Sequence, residues 1–139
     1  AGDQAFIQAV ATAGMTEVAM AKLGIERASD VNVKSYAQKL FDDHTKMNTE
    51  LTAIAQKKGV AIPAVKSGSG AETALSSATG KDFDRLFLKH MVDEHEKAVA
   101  LFEQQQNTSD MDLKTFIDTN LPTLRSHLEQ AKSLQSIGG

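Results

Sequence analysis

Apolar residues recur at intervals of three and four along four long stretches of this chain, the spacing that lines one face of an α-helix. The pattern predicts helix one from Asp3 to Arg27, helix two from Val31 to Lys58, helix three from Asp82 to about Gln106 and helix four from Asp110 to about Ser136. Ser29 or Asp30 is placed to cap helix two, and Gly59 to stop it. Short polar turns join one to two and three to four. Residues 59–81 differ: they hold Pro63 and four of the nine glycines, with one short helical piece expected at Ala71–Ser77. Composition agrees with the periodicity, since Ala, Leu, Lys, Gln and Glu dominate and aromatic residues make up only 5%.

Two internal repeats relate the helices. SDVNVKSY (29–36) and SDMDLKTF (109–116) match as cap, acid, apolar, polar, apolar, lysine, hydroxyl and aromatic. LFDDHTKMNTEL (40–51) and MVDEHEKAVALF (91–102) match as an apolar pair, two acids, a histidine and a lysine two places on. The first repeat makes one–two and three–four equivalent hairpins. The 23-residue linker reaches roughly 76 Å when extended, whereas a 25-residue helix is about 38 Å long, so the linker can run the full length of a hairpin. The expected fold is all-α: a ferritin-like four-helix bundle, one domain over residues 1–139, with a single long crossover between helices two and three.

The candidate chemistry depends on which face each ionisable side chain takes. His44 has Leu40, Phe41, Met47 and Leu51 at helical spacing; His95 has Met91, Val92, Ala98, Val99 and Phe102; His127 has Leu124, Ala131 and Leu134. Glu17 shares a stripe with Phe6, Val10, Ala13 and Met20. Each helix therefore offers one inward ionisable group at comparable depth. His90, beside Asp93, Glu94 and Lys97, is expected at the solvent edge. His44 lies 15 residues beyond Ser29 and His127 lies 18 beyond Ser109, an excess that a distortion at Pro122 would absorb unless the last helix begins there. Asp43 and Glu94 turn about 100° from the histidines they precede, which suits orienting a ring better than ligating an ion.

Burying four such groups is costly unless they pair or hold a cation. Two outcomes stay open. Glu17, His44, His95 and His127 ligate a divalent transition metal, with Zn, Cu, Ni or Fe suited to imidazole and carboxylate, or they form a buried His/Glu hydrogen-bond network in a non-catalytic structural or interaction module. The Glu-x-x-His pairs of di-iron bundles are missing, because Phe41, Val92 and Leu124 stand three before the histidines. No Ser/His/Asp arrangement, phosphate loop or suitably spaced acid pair points to an enzyme.

Charge and composition exclude more. A net charge of -3 with no basic stripe argues against nucleic acid, and the absence of cysteine removes disulfides and thiolate metal sites. No apolar run approaches the roughly 18 residues of a membrane span. Helix one carries Phe6, Ile7, Val10, Met15, Val18, Leu23 and Ile25 over more than one stripe. That surplus is expected to be covered by a homodimer or partner contact, or by the linker's own Val60, Ile62 and Val65.

GMTEV at 14–18, DDH at 42–44, DEHEKAV at 93–99 and LPTLRSH at 121–127 together resemble the exported bacterial family catalogued as domain of unknown function four-one-four-two. The resemblance runs over nearly the whole chain. It implies a ferritin-like fold and a periplasmic or secreted location. If the inward histidines hold a transition metal, the role expected of such a bundle is to buffer or sense it. It implies no established activity.

Overall fold

The computed structural model describes residues 2–63 and 70–138. Among them lie five helices: α1 (Gly2–Arg27), α2 (Val31–Lys58), α3 (Gly70–Ser77), α4 (Gly80–Gln104) and α5 (Met111–Gly138), with no strand. The four long helices coincide with the four periodic stretches to within about two residues at each end, and α3 is the short piece expected in the linker. Helix α5 runs through Pro122 without a break, so the alternative in which the last helix begins there does not hold.

Local chemistry accounts for the ends. Asp30 is extended, and its carboxylate accepts from the Asn32 and Val33 N–H groups. Gly59 has φ +68°, and the Val60 N–H turns back to Ala55 O while the Gly59 N–H reaches Gln56 O, a left-handed stop that glycine reaches without strain. The SD repeat is a structural duplication. Asp110 caps α5 through the Leu113 N–H as Asp30 caps α2, Val33 and Leu113 are both buried, and so are Tyr36 and Phe116.

The long helices pack most closely as α1 on α2 and α4 on α5, with α2–α5 and α1–α4 completing the square. Side-chain pairs fix the directions. At one end the Asp3 carboxylate accepts from Gln105 and Thr108, while Lys57 and Lys58 pair with Asp112 and Asp110. At the other, the Asp84 carboxylate accepts from the Ser29 and Asp30 N–H groups and the Ser29 hydroxyl, each at 2.9 Å. Neighbouring helices are thus antiparallel, and the connection from α2 to α4 crosses from one end to the other. Its described parts hug α1: Gln8 donates to Ala61 O, and Arg27 donates to Ser76 O. Val60 and Ile62 pack on the cluster holding Phe6 and Ile7, and Leu75 joins the one holding Met20 and Phe87. The linker thus packs against both ends of α1, while Met15 and Val18 between them stay half-buried; Val65 lies outside the described residues.

The apolar core falls into two clusters. One contains Met20, Leu40, Met91 and Ala131; the other contains Ile7, Met47, Phe102 and Leu124. Glu17, His44, His95 and His127 sit between these pairs on their helices, so a polar layer divides the core at mid-height.

Two predictions follow from the seams. A Cβ on Gly24 would lie 2.7 Å from both Ala37 Cβ and Phe87 Cζ, whereas one on Gly14 meets only the amide end of Asn48. Gly24→Ala is expected to destabilise by about 1–3 kcal/mol despite the gain in helix propensity, while Gly14→Ala stays near neutral as the Asn48 amide swings aside; urea unfolding compares them. Asp84→Ala strands two backbone N–H groups at the α1–α2 corner and is expected to cost at least about 2 kcal/mol in the same assay.

Candidate metal centre

His44 from α2, His95 from α4 and His127 from α5 meet in the dividing layer. Their ring centroids are 5.4, 5.5 and 5.5 Å apart, and one donor nitrogen of each lies within 4.8 Å of the others. All three are buried, at 7%, 1% and 0% exposure. Cα–Cβ bonds lean toward the helix N-terminus, so on antiparallel α2 and α5 the two side chains lean toward each other along the bundle axis. For the rings to meet, the His127 backbone must stand about a turn beyond that of His44. This tilt by itself can account for the three extra residues.

Hydrogen bonds set which nitrogen of each ring is bare. His95 Nδ1 lies 2.8 Å from Met91 O; a carbonyl can only accept, so Nδ1 carries the proton and Nε2 does not. His127 Nε2 lies 2.7 Å from Asp43 Oδ2 and donates to it, leaving Nδ1 buried without a partner. His44 Nε2 faces His95 Nε2 at 3.4 Å. Two nitrogens bound at about 2.0–2.1 Å to a tetrahedral or trigonal ion stand roughly 3.3–3.6 Å apart, so this spacing suits a shared cation.

Electrostatics keep the rings neutral. Burial holds His44 well below the usual imidazole range, reinforced by His95 and His127. Burial also lowers His95, against the opposing pull of Glu17, and lowers His127, against its bond to Asp43. The Tyr36 hydroxyl, itself raised by burial and by Glu17, donates to the backbone oxygen of His127 at 2.8 Å and steadies that turn.

Glu17 and His90 depart from the expected arrangement. Glu17 is buried at 5% exposure, but the tight donor group consists of the three histidines, and the Glu17 carboxylate faces His90 instead, Oε1 to Nε2 at 3.6 Å. His90 is therefore not at the solvent edge; its side chain is 14% exposed. Asp93 and Glu94 on its C-terminal side suggested a wet face, but the ring leans over the preceding turn, where Leu86 and Phe87 pack in the core. That apolar pair is the signal that locates it. Asp43 does orient a ring, though the ring is that of His127 across the helix seam, not its neighbour His44. A cavity of about 240 Å³ opens beside the layer, lined by Val10, Glu17, His44, Met47, Glu94 and His95 among others.

The family described as domain of unknown function (DUF4142) matches residues 1–134. Several solved structures share the fold. CopM in its Cu(I)-bound form is 21% identical, with 96% of this chain and 95% of that one covered and a TM-score of 0.84. A DUF305 fragment from Deinococcus radiodurans is 16% identical over 97% and 95%, with a TM-score of 0.86. A DUF305 protein from Streptomyces coelicolor, described as secreted, is 14% identical over 100% and 93%, also at 0.86. At these identities the likeness is one of fold. No curated protein matches the sequence.

The lowered histidines make stability fall in acid. Each binds its proton more readily when unfolded, so its contribution is intact above the unfolded value near 6.5 and is lost as pH falls below it. His90 works oppositely: burial lowers it, but Glu17, Glu94 and Asp93 outweigh that and raise it, so its contribution is present below 6.5 and lost as pH rises through its folded value. Three groups outnumber one, and metal-free protein is expected to melt at progressively lower temperature between about pH 7 and pH 5. A melting temperature that holds steady or rises over that interval would contradict this assignment.

Proposed function

The chain belongs to the DUF4142 family, and from that premise we propose a transition-metal-binding helical bundle that holds copper through His44, His95 and His127. The reading rests on one observation: three buried imidazoles meet, two of them with tautomers pinned by outside partners so that a bare nitrogen is left inside. A hydrogen-bond network that only fixed register would satisfy its members, yet His127 Nδ1 has no partner and the bond of His44 Nε2 is to another imidazole. Glu17 stands outside the ligand set and bears on it through charge.

An all-imidazole donor set suits Zn, Cu, Ni and Fe alike, and copper is favoured among them by the Cu(I)-, Cu(II)- and Ag-bound forms of CopM, which shares the fold. The chain is read as one ferritin-like four-helix domain over residues 1–139, with α3 carried in the crossover. A periplasmic or secreted location, supported by the secreted DUF305 neighbour, suits a role in buffering or sensing copper rather than catalysis.

The test is Cu(I) titration against a competing chelator, with the wild type and a His44→Ala, His95→Ala variant run side by side. One equivalent and a clear rise in melting temperature are expected for the wild type, since an ion at 100 times its Kd stabilises by about 2.7 kcal/mol. The variant should show neither. Equal shifts in both proteins would place binding elsewhere and end the proposal.

A further inference from the structure

The described residues contain four buried side-chain polar atoms without a hydrogen-bond partner: Glu17 Oε1, Glu17 Oε2, His90 Nε2 and His127 Nδ1. All four are atoms of types that ligate metals. His127 Nδ1 belongs to the triad. The other three lie together where α1 faces α4, and the triad does not account for them.

We propose that Glu17 and His90 form a second, separate cation site, which takes a divalent transition metal. A carboxylate buried without donors is costly unless a charge opposes it. A proton on His90 does not meet that need in full. At 3.6 Å from Oε1 the ring stands beyond hydrogen-bond length, and Oε2 likewise has no hydrogen-bond partner. An ion between the two groups satisfies all three atoms, because an oxygen and a nitrogen on one ion at about 2.0–2.1 Å stand roughly 3.3–3.6 Å apart, close to the spacing already present.

The surroundings fit an ion with open positions. Glu94 lies one turn beyond His90 on the same face of α4, its charge bears on His90, and it lines the cavity together with Glu17. The cavity gives water a route to the remaining positions. The donors differ in kind from the triad: carboxylate oxygen with imidazole suits borderline divalent ions such as Zn²⁺, whereas three imidazoles without a carboxylate also serve a monovalent ion. The site stands independently of the copper reading.

Calorimetric titration with Zn²⁺ tests it. The wild type is expected to take two equivalents, one at each site. Glu17→Gln, which keeps the side-chain volume, and His90→Ala should each take one, while both still bind one equivalent of Cu(I). The His44→Ala, His95→Ala variant should keep one Zn²⁺ and lose Cu(I). A wild type that takes a single Zn²⁺, or a Glu17→Gln protein that still takes two, would overturn the proposal. Circular dichroism confirms that each variant is folded. Should the triad variant retain its Cu(I), the copper reading would fail and the second site would be judged on its own Zn²⁺ counts.

Discussion

Desolvation of one layer of ionisable side chains governs this molecule. A helical bundle of this size is stabilised by apolar burial, and here Glu17, His44, His95 and His127 interrupt that burial at mid-height on all four long helices. Each imidazole taken out of water must stay neutral or find a partner. The consequences run outward from there. Asp43 is held against His127, Met91 lends its carbonyl to His95, and Tyr36 braces the turn of α5 that carries His127. The two apolar clusters close the layer above and below, and the cavity beside Glu17 is left as the way in for water.

The ends of the bundle solve a different problem by similar means. Asp84 gathers three donors from the α1–α2 corner, and Asp3 does the same for the α4–α5 corner through Gln105 and Thr108. Each carboxylate belongs to one hairpin and satisfies the turn of the other, so the hairpins are registered at both ends before any core contact is considered. The close approach of Gly24 to Ala37 and Phe87 sets the same register from within.

Much of this was legible in the sequence, and the misses share a cause. Periodicity located the helices, Asp30 and Gly59 marked their own ends, and the SD repeat anticipated matching caps and matching core residues. Apolar neighbours on both sides along the helix place the three histidines inward. The neighbours of His90 give conflicting signals, acids following it and Leu86 and Phe87 preceding it; the tilt of the Cα–Cβ bond favours the preceding turn. The Asp43–His127 pair, 84 positions apart, depends on how two helices from different hairpins face each other, which no single-helix periodicity encodes. The separation of Glu17 from the triad has the same origin.

The division of the triad between the hairpins has its own consequence. The α1–α2 hairpin supplies His44, and the α4–α5 hairpin supplies His95 and His127, so neither half contains the centre and it exists only once the two have docked. The interfaces between hairpins are the sparser ones in the molecule. Assembly must therefore wait for contacts between residues far apart in the chain, which close late because the entropy of bringing distant segments together must first be overcome. An ion captured by all three rings would act as a rivet across that late-forming seam: it would slow the parting of the two halves more than it would speed their meeting.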